Sequence, residues 1–411
     1  GVVRATDSPQ GEVAVVIGGG SGHYPAFAGW VGPGLAHGAA CGNVFASPSA
    51  SQVYSVVRAA DNGGGVLISF GNYAGDVLHF GQAAEKFRAE GVDVRVLPVT
   101  DDVASAPAEN AHQRRGVAGD LVVFKVAAAA AEAGRDLDAV EAVAARANSR
   151  TRSLGVAFDG CTLPGASEPL FTVPEGQMSV GLGVHGEPGV REVPMGTAAE
   201  IADLLVDGIL PEEPARGTDG YDGRVTALLN GLGTVKYEEL LVVYRRVAER
   251  LEAAGLTVVQ PEVGELMSSL DMAGLSLTLT FLDPELEELW TAPVDTAAFR
   301  RGAAPQRGSR REVAERAAEA AVPESSEESR IFAATITRVL DLMRDLMVAE
   351  EPYLGRIDAI AGDGDHGQGM TYGSTGAARA AAAALEAGAG ARTVLVRAGD
   401  AWAESAGGTS G

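Results

Sequence analysis

The sequence predicts an α/β region in two parts followed by the start of an all-α domain, and three observations carry that expectation. Short apolar runs alternate with stretches of helical length over the first ~150 residues, and again between about 175 and 300. A charged, aromatic-free segment rich in small residues interrupts the pattern at 301–330. From Arg330 onward the apolar period is helical and no strand signal remains.

In the first part, Val13–Ile17, Gly65–Phe70 and Val92–Val99 read as strands. Ser49–Ala60 and Val77–Glu90 read as helices between them, which implies βαβ units and a largely parallel sheet. Ala118–Ala133 and Leu137–Asn148 read as Ala-rich helices. The Gly/Pro-dense passage from Asp159 to Glu175 breaks the alternation. In the second part, Met178–Val184 is expected as a strand ending at His185. Thr197–Gly208 is a helix with a capping box of Thr197 and Glu200. Val225–Leu229 is a strand stopping at Asn230-Gly231, and Lys236–Ala254 a helix closed by Gly255. Thr257–Pro261 and Leu275–Phe281 complete the strands.

The organisation expected is therefore 1–300 as one unit with subdomains at about 1–160 and 175–300, a linker at 301–330, and a helical domain from 331 to 411. Part of the linker, Glu312–Ala321, has a short helical pattern. In the last part Phe332, Ile336, Val339, Leu340, Met343, Leu346 and Met347 fall on one helix face, and Thr375–Ala387 is nearly pure alanine. Two helices flanking a Gly/Asp loop are expected there. The chain opens on Gly1 and closes inside a Gly-rich run, so a fragment with a truncated helical domain is expected.

The bulk numbers exclude several partners. Net charge is −23, from 55 acidic against 32 basic residues, which argues against nucleic acid or an anionic membrane surface. No apolar run approaches a membrane span and no signal peptide is evident. Two cysteines, Cys41 and Cys161, are too few for a disulfide framework or a zinc site, so a cytoplasmic location is the default.

Three Gly-rich loops hold histidines. Gly18-Gly19-Gly20-Ser21-Gly22-His23 follows a strand pattern, and glycine at four of the first five positions implies a tight turn or a close approach. The spacing is not that of a dinucleotide fingerprint, because the third glycine would fall on His23, and a P-loop lysine is missing. His185 lies between Gly183 and Gly186, where its ring is not packed under neighbours. Asp358, Asp363 and Asp365 crowd three carboxylates into eight residues, which repel unless a hard cation sits among them; the EF-hand pattern does not fit. A solvated acidic turn is the alternative. His37, His79 and His112 are taken as structural or surface groups.

Four motifs in order resemble those of the dihydroxyacetone kinase family: Gly18 to His23 with Tyr24-Pro25, Gly71-Asn72-Tyr73-Ala74-Gly75-Asp76, Gly181 to Gly189 with His185-Gly186-Glu187-Pro188, and Gly362-Asp363-Gly364-Asp365-His366-Gly367. The resemblance implies a ketose-binding (DhaK-like) α/β region and a nucleotide-binding (DhaL-like) helical domain that uses ATP and Mg²⁺. It implies that His185 adds to the C2 carbonyl of a short ketose, that Asp76 is the base for the phosphorylated hydroxyl, and that His23 hydrogen-bonds the substrate. Asp76 read alone is equally a helix N-cap. Gly20, Ser21, Gly22 and Asn72 are implied substrate contacts. His366, Gly367, Met370, Gly407, Gly408, Thr409 and Ser410 are implied nucleotide contacts, and Asp358, Asp363 and Asp365 metal ligands. A homodimer is implied, with the helical domain reaching the partner subunit's substrate site. Tyr24, Phe27 and Gly71 depart from Glu, His and Lys common in the family and point to the erythrulose kinase branch, although dihydroxyacetone and both erythrulose enantiomers stay open. A ketose-binding regulatory module without kinase activity and a cyclising lyase acting on FAD are the alternatives.

Overall fold

The computed structural model describes residues 1–302, 322–359 and 364–407. The first sheet contains β1 (Val2–Val3), β2 (Ala14–Ser21), β3 (Gly38–Val44), β4 (Val66–Gly71) and β5 (Val94–Val99), in spatial order β1-β3-β2-β4-β5. β2 to β5 run parallel and the short β1 antiparallel. Side chains alternate faces along each strand. Ala14, Val16, Ile68 and Phe70 meet Val53 and Val57 of α1 (Ala50–Ala60) and Phe80 and Phe87 of α2 (Ala74–Ala89). Val15, Ile17 and Leu67 face the other way, onto α3 (Asp120–Glu132) and α4 (Leu137–Ser149). Both loops that follow central strands, at His23 and at Asn72–Asp76, thus open at the carboxyl ends of a parallel sheet, where such folds place ligands.

The second sheet is mixed. It contains β6 (Thr151–Ala157), β7 (Gln177–Val180), β8 (Arg191–Pro194), β9 (Arg224–Gly231), β10 (Thr257–Val258), β11 (Glu262–Gly264) and β12 (Gly274–Leu282). Their order is β10-β9-β12-β6-β7-β8, with β11 also on β9. β12 pairs antiparallel with both β6 and β9. The apolar faces of α5 (Ala198–Ile209) and α6 (Tyr237–Ala253) cover it, and Leu205, Val243 and Val247 join Leu277 and Phe281 in one core. Leu228, Met272 and Leu282 reach instead into the core around α3, together with Leu286 and Trp290 of α7 (Pro284–Thr291). That shared core ties the two sheets together, and Lys125 inside it donates to the Leu289 carbonyl at 3.1 Å. A short hairpin of β13 (Val294–Asp295) and β14 (Arg300–Arg301) follows.

The helical part has three helices among the described residues, α8 (Glu327–Asp358), α9 (His366–Glu386) and α10 (Ala391–Ala406). Their core is built of small side chains, chiefly Ala333, Ala377, Ala381 and Val394. Of the apolar face expected on α8, Ile336 and Leu340 pack inward while Phe332, Val339 and Leu346 stay exposed. No described helix is long and apolar enough to cross a membrane.

Several elements differ from the sequence expectation, each for a physical reason. β2 does not stop at Ile17 but continues through Gly18, Gly19 and Gly20 to Ser21. Those glycines serve close approach: a Cβ at Gly18 would stand 2.2 Å from the Ala40 carbonyl and one at Gly19 2.4 Å from the Phe27 ring. The turn comes only at Gly22, with φ +104°. The expected strand to Val184 ends at Val180, because Gly181 turns the chain at φ +77°. α2 begins at Ala74, so Asp76 lies inside its first turn and Tyr73 is the N-cap, not Asp76. α9 begins nine residues before Thr375, and α10 was not expected. The glycines of α9 read as a loop, yet they let helices touch: a Cβ at Gly367 would stand 2.1 Å from the Glu351 carbonyl and one at Gly376 2.4 Å from Ser405 Oγ. β1, β3, β6, β8 and α7 were also not expected. The helical pattern Glu312–Ala321 lies outside the described residues.

Candidate active site

His185 and His23 come from different sheets and meet. Their Nε2 atoms are 3.0 Å apart, with the ring planes at 77°. His23 is buried, and its Nδ1 lies 2.9 Å from the Ser268 carbonyl. A carbonyl only accepts, so Nδ1 carries the proton and donates. Burial, with His185 beside it, pushes the His23 pKa down to about 3, which keeps the ring neutral. Its Nε2 is therefore an acceptor, and His185 supplies the proton between them.

His185 sits in the 181–190 loop, pinned by the Ser269 hydroxyl on the Val184 carbonyl. Glu187 holds it from below. The His185 amide donates to Glu187 Oε2 at 2.9 Å, and His185 Nδ1 lies 3.0 Å from Oε1. Burial acts to raise the Glu187 pKa, but the His185 ring outweighs it and Arg115 adds to the same side, so it falls to about 2. An ionised carboxylate facing Nδ1 fixes the proton there.

Two aromatic rings frame the pair. Phe45 stacks on His23 at 5.0 Å and meets His185 edge-on at 5.2 Å. Tyr73 meets His185 edge-on at 4.7 Å, with its hydroxyl buried and without a partner among the described residues. Gly22 makes this possible, since a Cβ there would stand 2.8 Å from the Phe45 ring. Asp76 is buried at the start of α2, and burial raises its pKa to about 7 against the opposing pull of Ser47 and His185. Its Oδ1 has no partner among the described residues, as expected of a group that awaits a ligand hydroxyl.

The side chains of Ser21 and Asn72, two further expected contacts, are hydrogen-bonded within the fold. Ser21 Oγ donates to the Gly42 carbonyl at 2.6 Å, and the Ser21 carbonyl accepts from the Phe45 amide. Gly20 lies against the backbone of Phe45 and Ala46, where a Cβ would stand 2.9 Å away. Asn72 Nδ2 donates to the Arg114 carbonyl at 2.8 Å and the His112 carbonyl at 3.2 Å, so it braces the neighbouring loop. Tyr24 is 61% exposed and Phe27 is buried under Gly19. Of the three departures from the family pattern, only Gly71 touches a ring of the site, through Tyr73. His37 accepts from the Val15 amide and pairs with Glu12, a structural role.

The helical part faces this site within the same chain. A cleft of about 290 Å³ has Phe45, Leu163 and Leu170 on one wall and Glu351, Gly364 and Asp365 on the other. Asn43 Nδ2 donates to the Ser405 carbonyl at 3.1 Å. A Cβ on Gly407, which has φ +62°, would stand 2.9 Å from the carbonyl of Ser47, the neighbour of Asp76. Asp358 Oδ2 accepts from the Gly364 amide at 2.9 Å and the His366 amide at 3.3 Å, which ties Asp358 to the residues on either side of Asp365. These two carboxylates give the hard oxygen donors that suit Mg²⁺. No group of three metal-ligating side chains forms among the described residues. Asp363, Gly408, Thr409 and Ser410 lie outside those residues. His366 and Gly367 open α9 and Met370 lies one turn on.

Two histidines and a buried carboxylate come together in this site, and the Dak1 domain pattern matches residues 1–298. The chain belongs to the dihydroxyacetone kinase (Dak1) family. It is 65% identical over 412 residues to the L-erythrulose 1-kinase of Mycolicibacterium smegmatis, covering all of this chain and 72% of that one. It is 61% identical over 411 residues to the L-erythrulose kinase of Pectobacterium atrosepticum, covering all of this chain and 70% of that one. Among solved structures, the C. freundii dihydroxyacetone kinase in complex with AMP-PNP and Mg²⁺ is similar at TM-score 0.65 and 33% identity, over 92% of this chain and 67% of that chain. Family motifs contained Glu187 and Tyr73 in plain view. Phe45, Ser47, Ser268 and Arg115 were missed, since nothing local in the sequence marks them.

Proposed function

We propose that this Dak1 family member phosphorylates L-erythrulose at a terminal hydroxyl, holding the ketose covalently on His185. The chain is an ATP-dependent ketose kinase. The observation that carries the reading is the His185 ring held between Glu187 on Nδ1 and His23 on Nε2, beside buried Asp76. The preference for an erythrulose rests on the identities to the two L-erythrulose kinases.

The addition balances in atoms and charge. A ketose entering between the rings replaces the His185–His23 contact. The Nε2 lone pair of His185 forms the bond to C2, the carbonyl π pair moves onto oxygen, and the proton formerly shared with His23 passes to that oxygen. His23 lies where it relays this proton. The alkylated imidazole keeps its Nδ1 proton and its positive charge, opposite ionised Glu187. An alcohol offers no carbonyl carbon, so glycerol is not captured. Asp76 then takes the proton of the terminal hydroxyl as that oxygen attacks the γ-phosphorus in line and ADP leaves. A raised pKa makes Asp76 the stronger base. Asp358, Asp363 and Asp365 would hold Mg²⁺, which when bound would supply charge neutralisation for the phosphoryl group. His366, Gly367, Met370 and the 407–410 loop cradle the phosphates with backbone amides.

The proposed organisation is a ketose-binding unit at 1–300, a linker at 301–330 and a nucleotide-binding unit from 331. A homodimer and a cytoplasmic location are part of the proposal.

The test is a coupled ATP assay with L-erythrulose, D-erythrulose, dihydroxyacetone and glycerol, on wild type and His185→Ala. L-erythrulose should give the highest kcat/KM, glycerol almost none, and His185→Ala should lose most activity. Wild-type selectivity for ketose over glycerol in that variant would overturn the covalent role.

A further inference from the structure

We infer that Arg115 is a positioning residue that sets the protonation state of His185 from two contacts away, through Glu187. The inference rests on His185 being the ketose-holding nucleophile.

Arg115 touches neither histidine. Its Nε donates to Asp102 Oδ2 at 2.9 Å, its Nη2 donates to the Gly181 carbonyl at 3.1 Å, and its Nη1 lies 3.9 Å from Glu187 Oε2. Asp102 comes from the loop after β5, Gly181 opens the His185 loop, and Glu187 is the carboxylate on His185 Nδ1. One guanidinium therefore bridges the first sheet to the loop that carries the nucleophile. Its planar fork can serve all three at once, which a lysine cannot.

Gly183 supplies independent evidence that this approach is built in. Its φ lies outside the left-handed region, so backbone freedom does not require glycine there. A Cβ at 183 would stand 2.0 Å from Glu187 Oε2 and 2.6 Å from Arg115 Nη1. The missing side chain is the space through which the guanidinium reaches the carboxylate. The neighbouring Arg114 shows the contrast. It forms a fork with both oxygens of Glu212, at 2.8 and 2.6 Å, and takes no part in the site.

The chemical consequence concerns the charge on the ring. With Glu187 ionised, the Nδ1 proton stays on the ring, and the carboxylate balances the positive charge that remains once Nε2 has given up its proton and bonded to C2. Without a cation behind it, a buried carboxylate competes for the Nδ1 proton. Should it take that proton, the alkylated ring would face a neutral acid, and the ion pair that holds the adduct would be lost. Charged and titratable groups around Glu187 are His185 on its own loop, Arg115, Asp102, Tyr73, His23 and Cys161. Of these, Arg115 is the fixed cation.

The experiment measures ketose affinity without nucleotide by calorimetry, using L-erythrulose, at pH values from about 5 to 8. Proteins compared are wild type, Arg115→Met, Arg115→Lys, Arg114→Lys and His185→Ala. Arg115→Met should bind about 10²-fold more weakly. Its deficit should widen as pH falls, and added guanidinium should restore part of the affinity. Arg115→Lys should recover an intermediate affinity. Arg114→Lys should lose thermal stability and keep the affinity. Wild-type affinity in Arg115→Met would overturn the inference, as would a pH-independent loss that guanidinium does not repair and that tracks a fall in Tm. Ketose binding retained in His185→Ala would overturn the covalent reading itself, which separates the two failures.

Discussion

Asp76→Asn should stabilise the protein while abolishing its activity, and the gain should depend on pH. Asp76 is 7% exposed, and burial raises its pKa from an ordinary 3.8 to about 7. A carboxyl whose folded pKa lies above its unfolded value holds its proton more tightly in the folded state. Between about 4 and 7 the folded protein therefore binds more protons than the unfolded chain, and stability falls as pH rises. Below that window Asp76 is neutral in both states and costs nothing. Above it the full cost of a buried charge is expressed. The difference of about three pKa steps, at about 1.4 kcal/mol each, sets a ceiling of about 4 kcal/mol. Asparagine keeps the shape and can still accept from Ser47, but carries no charge. Urea unfolding of both proteins at about pH 4.5 and pH 8 measures the effect. The two should be nearly equally stable at the lower pH and diverge by several kcal/mol at the higher, in favour of the variant. Turnover should fall by at least 10²-fold with the base removed. Wild-type kcat should rise through about pH 7 as Asp76 ionises. A stability difference that does not change with pH would refute the reasoning, because it would mean that Asp76 titrates as an ordinary surface carboxylate.

Two further predictions concern the walls of the site. Gly71→Lys should shift preference from L-erythrulose toward dihydroxyacetone by roughly ten-fold or more in the ratio of kcat/KM values; its φ is not left-handed, and a Cβ would stand 3.0 Å from the Gly116 carbonyl and 3.2 Å from the Tyr73 ring, so the side chain is accommodated with a small shift. Equal loss on both substrates would instead show that the backbone there tolerates no Cβ. Asp358→Asn should weaken Mg·ATP binding and lower kcat on the order of 10²-fold while ketose affinity stays constant, because it touches the nucleotide wall alone; unchanged Mg·ATP kinetics would assign the aspartates to a solvated turn.

The chemistry was legible where a loop carries it. His23 and Asp76 follow strands of the parallel sheet and His185 a strand of the mixed one, and those strands are visible as apolar runs that give way to glycine. What holds those residues was not legible. Phe45 follows β3, a strand of small residues whose identity is set by crowding: a Cβ at Gly38 would stand 2.8 Å from Val56, and one at Gly42 2.1 Å from the Ala46 carbonyl. Nothing in a local pattern distinguishes such a strand from a loop. Ser268 reaches His23 across 245 residues, and Arg115 reaches Glu187 from the segment before α3. The side chains of Ser21 and Asn72 show a further tie that no local pattern announces, since they satisfy backbone carbonyls of Gly42, His112 and Arg114. Glycine misled twice, in β2 and in α9, because the sequence shows its presence and not whether it serves a turn or a close contact.

Burial alone does not decide what the acids of this site do. Asp76 and Glu187 are both withdrawn from water, and desolvation pushes both pKa values up. Glu187 nevertheless falls to about 2, because a histidine ring and a guanidinium stand against its two oxygens. Asp76 rises to about 7, because a serine hydroxyl and the more distant His185 are all that oppose desolvation. The outcome divides the labour. The first carboxylate is locked as an anion and can only orient its partner. The second is poised to take up a proton near neutral pH. His23, pushed to about 3, is held neutral between them and can relay a proton without storing it. Exchanging the surroundings of the two acids, rather than the acids themselves, would exchange their roles. On the proposed reading, the arginine behind Glu187 therefore stands with the motif residues among the groups that govern the charge of His185.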